Sequence, residues 1–369
     1  MQTVCEKNKC CGCGACVAAC PQQCIAIRDD ILAYNAVIDT AACIHCDLCK
    51  KLCPNVSTIK LYEPISWHQG WAEESIRRMG SSGGAATSFI RSFIFSGGYV
   101  TACLFREGAF VFDITNDIEK AEEFAGSKYV KSNPVDIYEK VARRLRTDKV
   151  LFIGLPCQVA AMKNYVREND RLYTIDLICH GTPSPKLLSG FLKEHGYDIN
   201  TLENIQFRAK NNFGVIVDGE KLSPGRVIDD YLCAFLSSLS YTENCYSCQF
   251  ARPQRIADIT IGDSWGTEYQ EEKDKGISLA IVQTPKGQEM MDNAVMTWKN
   301  VDLSNAIRNN QQLSHPSILP RQREKFMKMI KDGRSFKTAV FRAIPQMIAR
   351  QKMKRILTRP LPFNHSGGK

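Results

Sequence analysis

The run CCGCGACVAACP, residues 10–21, sets Cys10, Cys13, Cys16 and Cys20 in a CxxCxxCxxxCP spacing. CIHCDLCKKLCP, residues 43–54, repeats it 33 residues later with Cys43, Cys46, Cys49 and Cys53, and Pro54 stands in register with Pro21. Three closely spaced thiolates wrap one face of a 4Fe-4S cubane. The fourth is carried off by a helical turn to a second cubane, and the proline turns the chain away. One cluster should therefore use Cys10, Cys13, Cys16 and Cys53, and the other Cys20, Cys43, Cys46 and Cys49. Zinc also takes CxxC pairs, but it needs neither a cross-shared fourth cysteine nor two prolines in register. Cys5, Cys11 and Cys24 fall outside the spacing and are expected to be buried thiols.

This is the spacing of bacterial ferredoxins, so residues 1–60 read as a ferredoxin-like module of small strands and turns with two pseudo-symmetric halves. The chain has 17 cysteines, ten of them before residue 50, which suits metal ligation better than disulfide staples. At 369 residues, 44% hydrophobic and 24% charged, it has the composition of a multidomain globular protein. No stretch approaches ~18 continuous apolar residues, and the N-terminus lacks the basic start and apolar run of a secretory signal, so the expectation is a cytoplasmic protein.

Working outward, residues 61–145 carry a helix-like SSGGAATSFIRSFIFSGG, strands YVTACLF and GAFVFDI, and a helix VDIYEKVARRLR. Residues 146–320 alternate the apolar runs KVLFIG, RLYTIDLIC, ADITIG and ISLAIVQT with the helical patterns SPKLLSGFLKEHG and KGQEMMDNAVMTW. Two mixed α/β domains are expected. Residues 321–369 form a basic tail with 14 Lys and Arg against two acids, which leaves the first 320 residues slightly acidic although the whole chain is +9. Phe336, Val340, Phe341, Ile344, Ile348, Ile356 and Leu357 fall at roughly helical spacing, with a kink expected at Pro345. Such a helix either packs on its own domain or meets an anionic membrane surface or acidic partner. Few aromatics interleave its charges, which argues against nucleic acid.

Beyond the module, RMGSSGGAATSFI, GSKYVKS, GLPCQVAAM, CHGTPS, CYSC followed by ADITIGDSWG, and KGISLAIVQTPKG occur in an order that resembles the family of coenzyme F420 hydrogenase beta subunits. That family includes F420-linked dehydrogenase subunits and the plant hydroxymethyl-chlorophyll reductase. The resemblance covers residues 1 to about 320 and makes residues 61–145 and 146–320 the N-terminal-like and C-terminal-like domains of such a protein. It implies a flavoprotein in which FAD sits in the α/β domains, iron-sulfur clusters lead to it, and a hydride carrier or reducible substrate meets its ring. Clusters pass single electrons and hydride carriers pass pairs, so a flavin is the natural converter.

Taken by themselves, Ser81, Ser82, Gly83 and Gly84 form a small-residue turn whose amides can face phosphate oxygens at a helix N-terminus, or a plain tight turn. Ser127, Lys128, Tyr129 and Ser132 suit either a pyrophosphate and ring site or a solvated loop. The resemblance carries FAD contact onto these residues and onto Thr87, and it puts Gln158, Asp263 and Trp265 near the site.

Four further cysteines lie within the family strings: Cys157, Cys179, Cys245 and Cys248. Strand ends deliver side chains to a common rim, so these four are expected to hold a third 4Fe-4S cluster between module and flavin. Structural zinc and free buried thiols are the alternatives. Cys103 and Cys233, inside apolar runs, are expected in the core. The resulting expectation is an FAD and 4Fe-4S oxidoreductase working between coenzyme F420 or a ferredoxin-like protein and an unnamed acceptor. The alternative is an electron-transfer adaptor that wires a partner enzyme without substrate chemistry of its own.

Overall fold

A computed structural model describes residues 2–357 of the chain, apart from the side chains of residues 355–357. The N-terminal module has strands β1 (Gln2–Thr3), β2 (Ile25–Asp29) and β3 (Tyr34–Ile38) and two short helices, α1 (Ala15–Ala18) and α2 (Leu48–Leu52). The strands pair antiparallel in the order β1-β3-β2. Its own core is largely sulfur and small apolar groups, including Val4, Cys5, Cys10, Cys16, Ile25, Ala36 and Cys53. STIKLY, which has the residue types of a strand, forms none: only Tyr62 bridges, to Arg255.

The next segment runs β4 (Ser66–Trp71), α3 (Glu74–Met79), α4 (Ala85–Phe95), β5 (Tyr99–Arg106), β6 (Ala109–Thr115), α5 (Ile118–Ala121) and α6 (Ile137–Arg144). Then come β7 (Val150–Gly154), α7 (Pro156–Val166), β8 (Leu172–Leu177), α8 (Pro185–Glu194), β9 (Ile205–Ala209), β10 (Asn212–Val217), β11 (Glu220–Lys221) and α9 (Asp230–Leu236). The chain continues through β12 (Ile259–Asp263), β13 (Ser278–Val282), α10 (Pro285–Asn293), β14 (Thr297–Asn300) and α11 (Leu303–Asn309). The KGQEMMDNAVMTW helix thus stops at Asn293, and Thr297 and Trp298 pair with β4 instead.

Eight strands form one mixed sheet in the order β14-β4-β13-β12-β8-β7-β5-β6. β12, β8, β7 and β5 are mutually parallel, and the outer strands add antiparallel on both sides. The boundary expected at 145/146 falls inside this sheet, because β5 before it and β7 after it share a parallel ladder. Every residue of β7 is buried, as expected of a strand covered on both faces. Its Val150 and Phe152 face α6 and α7, where Tyr138, Val141, Val159 and Met162 pack. Leu151 and Ile153 face α4 and α10, against Phe89, Ile90 and Met290.

The module is built into this core. Cys11, Cys13, Ala15 and Leu52 belong to the same apolar cluster as α6 and α7. Tyr138 donates its hydroxyl to the Cys13 carbonyl at 2.7 Å, and Asn164 donates its amide to Leu52 O at 3.2 Å.

A second layer consists of β9–β11 with α8 and α9, and the tail helices α12 (Arg323–Lys331), α13 (Phe336–Ala343) and α14 (Pro345–Leu357) pack on it. Phe326, Phe336, Val340 and Ile348 are buried with Leu188, Phe191 and Tyr231, so the tail's apolar stripe faces its own domain. Phe341 departs from the stripe and is exposed, while Ile344 is partly buried. Pro345 separates two helices rather than kinking one: Ile344 leaves helical geometry and Pro345 opens α14, as its restriction on the preceding residue dictates. Ile356 and Leu357 have side chains outside the described residues, and residues 358–369 lie outside them altogether. Among the described residues no helix is long and apolar enough to cross a membrane.

Candidate functional site: three thiol groups and a cavity

In the module, Gly12 and Gly14 take left-handed backbone, with φ 72° and 73°. A Cβ at Gly12 would lie 2.6 Å from Tyr34 Cδ2, and one at Gly14 would lie 2.5 Å from Val135 Cγ2. These glycines let the loop turn tightly enough to aim thiols and amides inward. The Gly12 amide donates to Cys10 Sγ at 3.4 Å, a bond of the kind that tunes thiolate-held clusters.

The thiols group across the two sequence runs. Cys16 is surrounded by Cys10, Cys53 and Cys11, and burial with these neighbours pushes its thiol well up. Cys5 sits against both Cys10 and Cys53. Cys24 lies against Cys20 and Cys43, and a small cavity of about 50 Å³ is lined by Cys20, Cys43, Cys46 and Cys49. Cys46 is exposed. The donor sets therefore fit two cross-shared cubanes.

The later cysteines meet where the parallel strands end. Cys157 follows Pro156 at the start of α7, Cys179 lies two residues past β8, and Cys245 lies in a tight helical turn that Cys248 closes. Burial and the nearby Cys245 and Cys248 push the Cys179 thiol up to about 12. Cys157 has Cys11 as its thiol partner and Cys248 nearby. Thr242 Oγ1 lies 3.6 Å from Cys245 Sγ. The four come together, and Cys11, which the spacing left unassigned, joins them from the module. Among the described residues no group of three or more His, Cys, Asp or Glu closes on a single metal ion. Of the two cysteines expected in the core, Cys233 is fully buried in α9, whereas Cys103 is half-buried and lines a cavity.

That cavity, about 510 Å³, opens at the carboxyl ends of β7, β8 and β12, where ligands bind in open α/β sheets. Ser81, Ser82, Gly84 and Thr87 line it from the start of α4, and Ser127, Lys128, Tyr129 and Ser132 from the loop before α6. Gln158, Asp263 and Trp265 complete the expected set, and Cys179 stands on the same wall. Gly83 lies off the cavity: a Cβ there would come within 2.5 Å of Gly70 O and Ser278 N, so its small size serves the seating of the loop on the sheet. Gly84, with φ 89°, caps α4.

Foremost among the residues that the sequence did not reveal is Arg208 on β9. Its guanidinium donates to Asp263 at 2.8 and 3.1 Å, to Ser81 O at 2.6 Å and to Tyr129 Oη at 3.2 Å. It lies over Phe213, 4.9 Å from the ring centre. One side chain thus joins three of the expected strings. Lys210 donates to Gly80 O and Ser82 O, both at 2.9 Å, which pins the small-residue turn, and burial lowers its pKa to about 8. Lys128 donates to Phe124 O at 2.8 Å and Ala125 O at 2.7 Å, and burial lowers it to about 8 as well. Gln158 donates to Ser132 Oγ at 2.9 Å, and the Ser127 amide to Ser81 Oγ at 2.8 Å. His180, on the cavity wall, is lowered by burial.

Residues 147–303 match the family described as the C terminus of the coenzyme F420 hydrogenase/dehydrogenase beta subunit, and residues 9–56 match a 4Fe-4S dicluster domain. The chain is 25% identical over 333 residues to a coenzyme F420-dependent sulfite reductase of Methanocaldococcus jannaschii, a match spanning 82% of this chain and 48% of that protein. It is also 25% identical over 228 residues to an F(420)H(2) dehydrogenase subunit of Methanosarcina mazei, spanning 54% of this chain and 63% of that one. The matched segments thus cover about half to two-thirds of those relatives' lengths. A chain of the F420-reducing [NiFe] hydrogenase complex from Methanosarcina barkeri shares the fold, with a TM-score of 0.50 and 18% identity over 73% of this chain and 95% of that one. The cysteine repeat thus matches the model of a 4Fe-4S dicluster domain, and the later part of the sheet domain, from β7 onward, matches the model of the C terminus of the coenzyme F420 hydrogenase/dehydrogenase beta subunit.

Proposed function

We propose that the protein is an oxidoreductase that passes electrons between a reduced carrier, coenzyme F420 or a ferredoxin-like protein, and an acceptor, by way of 4Fe-4S clusters and FAD. The observation that carries this reading is adjacency. Cys179 belongs both to the cavity wall and to the later thiol group, whose Cys157 touches Cys11, the neighbour of the module's first ligand set. The names of the F420-linked relatives support F420 as the carrier, and the hydrogenase complex supports a protein partner.

In this reading Cys10, Cys13, Cys16 and Cys53 hold one cluster, Cys20, Cys43, Cys46 and Cys49 a second, and Cys157, Cys179, Cys245 and Cys248 a third. FAD, when bound, exchanges electron pairs on one side and single electrons on the other. The amides and hydroxyls at the start of α4 offer donors for a pyrophosphate, in the field of an eleven-residue helix. Arg208 holds Asp263, Ser81 and Tyr129 in fixed register around the cavity. Ile90, Phe112, Ile153 and Ile261 supply apolar walls that exclude water from the bound ring.

The test is anaerobic purification of the full chain, followed by its absorption spectrum, identification of the extracted cofactor and iron analysis. FAD together with iron supports the reading. No flavin after anaerobic reconstitution with FAD would overturn it in favour of an electron-transfer adaptor.

A further inference from the structure

Lys131 sits on the loop between α5 and α6, one residue after the Tyr129-Val130 pair, and is only 4% exposed. Its backbone amide is tied to Pro183 O at 2.9 Å, which fixes the loop, and its side chain turns away from the cavity toward the module. The ammonium donates to Cys11 O at 3.1 Å and lies 5.0 Å from the centre of the Tyr34 ring. Its stem fills the space that a side chain at Gly12 would need, with Cδ 2.9 Å from that Cβ position. Among the described residues it has no carboxylate partner.

A buried ammonium without a counter-charge is costly and tends to give up its proton, so one that stays charged is best served by negative groups around it. Cys245, Cys157, Cys11 and Cys10 are the charged groups that face it. Those sulfurs come from both sides. Cys10 is a ligand candidate of the module's first site, Cys157 and Cys245 are ligand candidates of the later site, and Cys11 touches Cys13 on one side and Cys157 on the other. Among the described residues, the negative charge that faces this ammonium is therefore the charge that thiolates carry when they bind metal.

We infer that Lys131 is a positioning charge shared by two metal sites, the Cys10 site and the Cys157 site, and that it stabilises an added electron on either. The inference rests on the reading of Cys157, Cys179, Cys245 and Cys248 as an iron-sulfur site. The step it serves is a one-electron exchange: one site is oxidised by one electron, the other is reduced by one, and no bond or proton moves. The electron comes from the reduced carrier. A cation placed between the two sites lowers the energy of the reduced form of each, so the electron does not fall into a trap at one end. The Cys20 site is not among the groups facing Lys131 and should be indifferent to it.

The experiment uses full-length, anaerobically reconstituted protein as wild type, Lys131→Gln, Lys131→Met and Lys131→Arg, with iron analysis and redox titrations followed by electron paramagnetic resonance. Gln keeps a donor for Cys11 O and loses the charge, and Met keeps the stem alone. Both neutral variants should lower the midpoints of the Cys10 and Cys157 sites by at least tenfold in the one-electron equilibrium, ~59 mV, and leave the Cys20 site unmoved. Lys131→Arg should stay near wild type. Iron lost from both neutral variants but kept in Lys131→Arg would equally show that the position supplies charge. Unchanged midpoints in Lys131→Gln at full iron, a shift confined to one site, or iron lost from all three variants would overturn the inference. If wild type holds iron for two clusters only, the reading of the later cysteines fails on its own evidence, and the Cys10 midpoint still reports on Lys131.

Discussion

Gly12 and His45, 33 residues apart, hold the same left-handed backbone, φ 72° and 54°, and each donates its amide to the cysteine sulfur two residues before it, Cys10 and Cys43, at 3.4 Å. Gly14 and Asp47 repeat the match at φ 73° and 55°. The duplication is thus conformational as well as chemical. In the second run ordinary residues bear a backbone that costs an L-residue ~1–2 kcal/mol, as expected where amides must converge on a cluster.

The two halves should therefore respond differently to substitution. Gly12→Ala would meet Tyr34 and Lys131 as well as the backbone penalty, and should lose iron from the first site and at least ~1 kcal/mol of stability. His45→Gly relieves the strain and should keep full iron. Iron per chain and urea midpoints of the two variants provide the check.

The later thiol group should be tested in the intact chain. Removing the module would uncover the α6 and α7 face that Ala15 and Leu52 cover, so a truncation would confound metal loss with exposure of the core. The double change Cys157→Ser with Cys248→Ser should lower iron from roughly 12 to roughly 8 per chain, counting four per cubane. Roughly 8 in both proteins would refute the third cluster.

Arg208→Met should cost about 3 kcal/mol, because it leaves the Asp263 carboxylate without its partner and frees Ser81 and Tyr129. Flavin retention should fall with it. Thermal unfolding and FAD content after gel filtration measure the two effects separately, and a stable variant with normal flavin would remove Arg208 from the site.

Lys128 gives a pH signature. Its folded value, lowered by burial to about 8 from 10.5, means that the unfolded chain binds more protons between those pH values. Stability therefore rises with pH across that window by no more than ~1.4 kcal/mol per pH unit from this group. Lys128→Met should flatten the rise in the flavin-free protein, and equal slopes in urea titrations at pH 8 and pH 10 for both proteins would refute it.

What could be read from the residues alone follows physical lines. The cysteine repeat was legible because a cubane dictates ligand spacing, and β5, β7, β8, β12 and β13 because buried strands are β-branched runs. β4 was not, since SWHQGW lacks such a run. Gln69 at its centre is nonetheless fully buried, its side chain answered by Glu268, Ser264 and Thr267 at 2.8–3.0 Å. STIKLY misled for the opposite reason, having strand residues but no partner edge. Of the expected residues, Ser81, Ser82, Gly84, Thr87, Ser127, Lys128, Tyr129, Ser132, Gln158, Asp263 and Trp265 line the cavity and Gly83 does not, while His180 of the string CHGTPS lines it without having been expected there. Arg208 and Lys131 were not legible, because a lone cation says nothing until the chain closes around it.

The module's place in the core of the sheet domain also bears on biogenesis. Small metal-organised folds depend on their metal for folding, and here the surface they present is part of another domain's interior. Without iron the chain would not persist as an intact but inactive body. It would show bare apolar helix faces and be removed as misfolded protein, so its abundance in a cell would follow cluster supply.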